Sequence, residues 1–167
     1  MRLTPTLFTC LLVFSACHQG HGVDYSKATF GIYLTKNDVR PYNLKDYTYV
    51  EPADVPLISL DDIVSYNWSS HVIHLTERGR QAIDTMFVPV QGKSFCVCVD
   101  RHPKYYGGFW VIISSIPFAG TTIIQTKPLP DSIRIGRGYP VDHDSTMPDP
   151  RNNAEVEAVL RAAGKLR

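Results

Sequence analysis

Histidines and aspartates at two places in the chain could bind a divalent metal ion or transfer protons. His71 and His74 are three residues apart, and Asp142, His143 and Asp144 are consecutive. Carboxylates that flank a histidine can coordinate a divalent ion or orient the imidazole ring. The alternative interpretation of the same residues is a solvated acidic loop and two ordinary histidines of a sheet.

The residues between the two histidines determine whether His71 and His74 can share a metal ion. Val72, Ile73 and Leu75 favour a strand. On a helix the two histidines would lie on one face, whereas on a strand they point to opposite faces. We therefore expect at most one of the two histidines in any one site. For the chain as a whole, we predict no bound cofactor.

Two cysteines, Cys96 and Cys98, lie in an apolar run that predicts a buried strand. Their side chains point to the same face, about 6.5–7 Å apart along the strand. That separation is long for an unstrained disulfide, and no second cysteine pair could complete a tetrahedral metal site. Buried free thiols are the favoured interpretation, and a redox or metal-binding pair is the alternative.

The densest group of aromatic residues lies at 105–110. Tyr105, Tyr106, Phe109 and Trp110 flank two glycines, which allow a bulge or a close backbone approach. Such a segment can present a surface to a partner. It can equally fill the core of the domain, which is the more common use of aromatic side chains.

The N-terminus has the pattern of an export signal. Arg2 precedes an almost wholly apolar stretch, residues 3–16. A helix needs roughly 20 apolar residues to span a bilayer, whereas this length is typical of the apolar region of a signal peptide. We therefore predict a signal peptide at residues 1–16.

The end of that stretch resembles a bacterial lipobox, the motif after which a lipoprotein is cleaved and acylated. The motif residues are Ser15, Ala16 and Cys17, and Phe14 stands where the family prefers Leu. The resemblance implies lipid attachment to Cys17, and an ordinary secretory signal is the alternative. The residue after Cys17 is His18 and not Asp. In cells with two membranes, this resembles the pattern that sorts a lipoprotein to the outer membrane, where it faces the periplasm.

Composition and charge predict one globular domain after a short tether. Of 167 residues, 44% are hydrophobic and 20% charged. Removal of residues 1–16 removes Arg2 and leaves 16 basic and 16 acidic side chains. This zero net charge argues against a nucleic-acid partner. We expect the tether at 17–24 and the domain at 25–167.

Hydrophobic periodicity predicts an α+β fold, a single compact domain with a mostly antiparallel sheet and two or three short helices packed on it. Capping residues are expected at Ser59, Thr76 and Asn153. The predicted strands are 30–35, 71–75, 95–100, 105–113, 122–126 and 132–136, and the predicted helices are 60–66, 77–86 and 154–163.

Two resemblances to known families rest on these segments. Residues 74–83 (HLTERGRQAI) and the strand at 95–100 resemble part of the periplasmic head domain of SecD, over residues 58–125. Residues 63–76 together with 163–166 (AGKL) resemble small bacterial lipoproteins. The second resemblance implies a lipid anchor but no particular activity.

The leading hypothesis is a lipoprotein of the cell envelope, anchored through Cys17, with a non-enzymatic domain that serves protein interaction, for example with an envelope protein, or envelope maintenance. The alternative is a small exported metal-binding protein or hydrolase that uses the loop at 142–144. These hypotheses differ in whether the candidate side chains converge on one concave pocket.

Overall fold

Eight strands form one sheet in the computed structural model, which describes residues 24–142 and 148–167. Two α-helices and three 3-10 turns accompany the sheet. The sheet is mostly antiparallel, so the predicted α+β class is confirmed. The strands are β1 (Phe30–Leu34), β2 (Ile58–Ser59), β3 (Ile63–Asn67), β4 (Val72–Leu75), β5 (Lys93–Val99), β6 (His102–Val111), β7 (Phe118–Gln125) and β8 (Ser132–Tyr139). The helices are α1 (Glu77–Asp84) and α2 (Ala154–Ala162), and the 3-10 turns are Tyr25–Lys27, Pro41–Asp46 and Leu60–Asp62.

The order of the strands requires the sheet to curl strongly. Strand order across the sheet is β2-β1-β5-β6-β7-β8-β4-β3. The two outermost strands, β2 and β3, are consecutive in the chain, and only the turn Leu60–Asp62 separates them. The two edges of the sheet therefore lie one turn apart, and the inner face encloses most of the core.

The two helices begin at the predicted capping residues. The Thr76 side chain accepts a hydrogen bond from Gly79 N, and the Asn153 side chain accepts from Glu155 N and Val156 N. In α1 the buried apolar residue is Ile83. The buried apolar residues of α2 have the spacing of one helix face: Val156, Val159 and Leu160.

The predicted helix at residues 60–66 is wrong. The capping residue that suggested it does begin a turn, since Asp62 accepts hydrogen bonds from Ser59 N and Oγ at 2.7 and 2.8 Å. The helix stops after one turn because the next residues pair with β4. Ile63 lies opposite Leu75, and both Ile63 and Tyr66 are fully buried in the sheet.

Strands β6 and β7 are parallel neighbours joined by only six residues, 112–117. Such connections usually need a dozen residues or more. The short connection is held in place because the Trp110 indole donates hydrogen bonds to Ile116 O and Ser114 Oγ, both at 3.1 Å. The chain therefore reverses directly after β6, at Ile112 and Ile113.

The C-terminal residues cover the outer edge of β3. Tyr66 N donates to Lys165 O at 2.7 Å, and Arg167 N donates to Tyr66 O at 2.9 Å. Trp68 N also donates to Arg167 O. Among the described residues, no helix has the length and apolar character needed to cross a membrane.

Candidate functional site

The structure separates the two histidines of the HxxH pair. His71 is buried just before β4 with a φ of 53°, in the left-handed region. His74 is exposed within β4. The two imidazoles therefore do not share a site, as expected from a strand at this position.

His71 belongs to a buried polar cluster with Tyr66, Arg151 and Asp149. His71 Nδ1 lies 3.0 Å from the Tyr66 hydroxyl. Arg151 donates to Ile135 O on β8 at 2.6 Å and pairs with Asp149 at 2.6 Å. The cluster therefore ties the chain before α2 to the sheet.

Burial and charge fix the protonation states in this cluster. Burial, reinforced by the positive charge of Arg151, lowers the pKa of His71 to about 4. The side-chain hydrogen bond from Arg151 lowers the pKa of Asp149 to about 2. At neutral pH the cluster therefore holds a neutral imidazole beside a compensated ion pair, an arrangement that stabilises the fold.

Asp142 is bound by the protein's own arginines. Its carboxylate lies 2.5 Å from Arg134 Nη2 and accepts a hydrogen bond from Arg137 N at 2.9 Å. Partial burial opposes ionisation, but these two hydrogen bonds outweigh it and lower the pKa of Asp142. His143 and Asp144 lie outside the described residues. In residues 24–142 and 148–167, no three His, Cys, Asp or Glu side chains are grouped as metal ligands.

The aromatic segment at 105–110 forms part of the interior. Tyr105, Phe109 and Trp110 are at most 4% exposed, and Tyr106 is half-buried. The Trp110 ring stacks on Phe118 with a centroid distance of 4.8 Å. These side chains therefore fill the domain, which is the favoured interpretation of the segment, and they present little surface to a partner.

The two cysteines of β5 are free and fully buried. Cys98 Sγ lies 3.7 Å from Cys96 Sγ, on the outer face of β5, where both pack with Tyr33 and Tyr106. The hydrogen bond from Cys98 and burial raise the pKa of the Cys96 thiol. A protonated, buried thiol is a packing group rather than a nucleophile or a metal ligand.

An apolar groove lies at the end of the sheet where β6 and β7 finish. Three large side chains project there into solvent: Phe87 is 80% exposed, Ile112 69% and Ile113 81%. The groove between them has a volume of about 430 Å³. We call it the end groove, and its lining residues are Met86, Phe87, Val88, Val111, Ile112, Ile113, Gln125 and Lys127.

Buried hydrogen bonds hold both walls of the end groove. Gln125 Nε2 donates to Ile83 O at 2.5 Å and to Met86 O at 2.9 Å, which fixes the chain after α1 against β7. The Tyr139 hydroxyl contacts Ile112 O at 2.9 Å on the opposite wall. The exposed apolar side chains therefore stand on backbone that the core positions.

Lys127 is the charged residue that lines the end groove. It is exposed, and it forms no ion pair with any residue in the described part of the chain. An anionic group at the mouth of the groove would therefore find a lysine free to pair with it.

The sequence pattern does not predict the end groove. It places Ile112 and Ile113 in the strand predicted at 105–113, although β6 ends at Val111. The signal in the sequence is the apolar run that continues up to Ser114, together with Phe87 two residues before Pro89. Exposed apolar side chains grouped in this way mark a surface patch.

Cys17, the predicted site of lipid attachment, lies among residues 1–23, which are outside the described residues. Comparison with known proteins found no matching family model, no similar curated protein and no similar solved structure. Lipid attachment and the two family resemblances therefore stay predictions from the sequence motifs.

Proposed function

We propose that this protein is an exported lipoprotein, anchored through Cys17, whose domain binds another component of the cell envelope. The observation that carries the proposal is the position of Cys17, directly after Ser15 and Ala16 at the end of the apolar stretch at 3–16. Acyl chains contribute about 0.8 kcal/mol for each buried CH₂ group, so two or three chains anchor a domain firmly.

The end groove supports a binding role for the domain. Phe87, Ile112 and Ile113 expose most of their surface although the buried core is otherwise well filled. Large apolar side chains grouped at one surface site mark interaction sites in soluble domains. Burial of one such side chain contributes about 1.5–3 kcal/mol, so three of them supply the centre of an interface.

Two of the described candidates for the alternative site, Asp142 and His71, have structural partners, and His74 lies apart from them on the surface of β4. Asp142 pairs with Arg134, and His71 bonds to Tyr66 in the interior. These contacts favour the binding role over a hydrolase or metal-binding role built on the same side chains.

Labelling with radioactive palmitate in a bacterial host tests the anchor. We expect the wild-type chain and the matched control Cys10→Ser to incorporate label and to sediment with membranes. Cys17→Ser should take up no label and should leave the membrane fraction after cleavage or stay as an uncleaved precursor. Equal labelling of Cys17→Ser and the wild-type chain would overturn the proposal.

A further inference from the structure

We propose that the end groove binds an apolar segment, carrying a carboxylate, of another envelope protein on the side of the domain away from the anchoring membrane. This inference rests on the proposed function, because it uses Cys17 as the anchor point. It adds the chemistry of the partner and the orientation of the domain.

The shape of the groove fits an inserted apolar segment. Phe87 stands on the irregular segment after α1 and Ile113 on the turn after β6, and both line a groove of about 430 Å³. Gln125 is 3% exposed and holds one wall by hydrogen bonds, so the groove is formed before a partner arrives. A preformed apolar groove lowers the ordering cost of binding.

The charge of the groove specifies the flanking group on the partner. Lys127 lies at the groove, exposed and without an ion pair to a described residue, so a carboxylate beside the apolar segment would pair with it. In a symmetric dimer across this groove, each copy would bring a lysine into the interface, and the lining of the groove holds no acidic residue to pair with it. This charge pattern disfavours a second copy as the occupant.

The position of the groove separates it from the anchor. Asp24, the first described residue, lines a surface cleft together with His102, where β6 begins. The groove lies beyond Val111, where the ten-residue β6 ends. At about 3.3 Å per residue, the two sites are about 30 Å apart.

The predicted tether between Cys17 and Asp24 is shorter than the distance from Asp24 to the groove. Cys17 is seven residues before Asp24, so even a fully extended tether reaches only about 25 Å. With Cys17 at the membrane, the groove lies at the end of the domain farther from the attachment point. This position favours a protein partner over the lipid that holds the anchor.

Photocrosslinking of the full-length protein in its membranes tests this inference. The photoreactive residue p-benzoylphenylalanine replaces Ile113, and in the matched control it replaces Val55, which is 75% exposed outside the groove. Crosslinked peptides are sequenced by mass spectrometry. We expect position 113, and not position 55, to crosslink to one defined protein, within an apolar segment that contains Asp or Glu.

Other crosslink products would overturn the inference. Crosslinks from position 113 to phospholipid would assign the groove to the membrane, and crosslinks to the same chain would assign it to a dimer. Crosslinks to many proteins at the same yield as position 55, or no crosslink at all, would remove the groove as a specific site.

Charge variants test the carboxylate. Lys127→Glu should lower the yield at position 113 by about two- to fivefold, the range expected for a surface ion pair. Lys127→Arg should keep the yield, as should the control Lys45→Glu on an exposed turn outside the groove. An unchanged yield in Lys127→Glu would overturn the charge assignment.

The anchor and the groove are measured separately. Palmitate incorporation reports the anchor in every variant, and the crosslinked peptide reports the groove. If the protein carries no lipid but position 113 still crosslinks to an acidic apolar segment, the lipoprotein proposal fails while the groove stands. If the lipid is present and the crosslinks go elsewhere, only the groove assignment fails.

Discussion

At the scale of single residues, the buried imidazole of His71 determines how the domain responds to mild acid. Its pKa is about 4 in the folded protein, against 6.5 for the free side chain. Between these values the unfolded chain binds a proton that the folded chain does not bind. Stability is therefore lost as the pH falls from 6.5 to 4.

We predict that His71→Asn removes most of this pH dependence. The free energy of unfolding of the wild-type domain should fall by up to about 3 kcal/mol between pH 6.5 and 4 from this group. Asn tolerates the left-handed φ of 53° at this position. The variant should start lower at pH 7, by about 1 kcal/mol for the lost bond to Tyr66, and then fall less steeply.

Urea unfolding at a series of pH values measures the effect, with His74→Asn as the matched control. His74 is exposed, so its variant should keep the wild-type slope. Equal slopes for His71→Asn and the wild-type chain would contradict the assignment to His71. The lowered pKa of Asp149, about 2, acts in a separate and more acidic range below 3.8.

The residues of this cluster show how far a sequence predicts a site. The strand pattern predicts opposite faces for His71 and His74, and the structure separates them in another way, by placing His71 in a left-handed conformation just before β4. Tyr66 is only five residues from His71, but no local pattern predicts that Arg151, 80 residues along the chain, lies close enough to affect the pKa of His71. Only the pairing of β3, β4 and β8 brings these side chains together.

At the scale of elements, local capping signals predict where a helix begins. They do not predict whether the residues that follow will join the sheet instead. Thr76 and Asn153 start helices as expected, because nothing else competes for the residues that follow them. Ser59 starts only one turn, because residues from Ile63 onward gain a full row of hydrogen bonds by pairing with β4. The tertiary pairing outweighed the capping signal.

The end groove is also a product of elements rather than of a motif. Phe87 follows α1, and Ile112 follows β6, so no short window of sequence contains both. The side chain that joins these elements is Gln125, which is buried in β7 and bonded to two carbonyl oxygens at the end of α1.

We predict that Gln125→Leu destabilises the domain and loosens the groove. The carbonyl of Met86 would lose its donor, and the carbonyl of Ile83 would keep only the backbone donors of the turn after α1, at a cost of about 1–3 kcal/mol. Gln81→Leu is the control, since Gln81 lies on the exposed face of α1. Thermal unfolding followed by circular dichroism measures both, and equal melting temperatures for the two variants would contradict this role of Gln125.

At the scale of the whole molecule, the C-terminal residues cover one outer edge of the sheet, that of β3. The outer strands β2 and β3 are one turn apart, and residues 165–167 pair with the remaining edge of β3. Exposed edges invite association with other chains. The C-terminal residues therefore serve as a cover for β3 as well as an end to the chain.

We predict that deletion of residues 165–167 destabilises the protein and promotes association. Three backbone hydrogen bonds to Tyr66 and Trp68 are lost, each worth about 1 kcal/mol. Arg167→Ala keeps the backbone of this segment and should behave like the wild-type chain. Size-exclusion chromatography and urea unfolding measure the two effects, and a monomer of unchanged stability after the deletion would contradict the account.

The architecture also assigns directions to the molecule. The described chain begins beside the start of β6, and the end groove lies beyond its far end, about 30 Å away. With an anchor at Cys17, the first end faces the membrane and the second faces the surrounding compartment. This orientation depends on lipid attachment at Cys17, so the lipid on Cys17 is the central claim to test.

The intact mass of the protein purified from membranes tests this claim most directly. We predict the mass of residues 17–167 plus the acylglycerol group, with the modification located on Cys17 by fragmentation. Loss of the lipid mass in Cys17→Ser, and its retention in Cys10→Ser, should accompany that result. An unmodified chain that begins at any other residue would contradict the account.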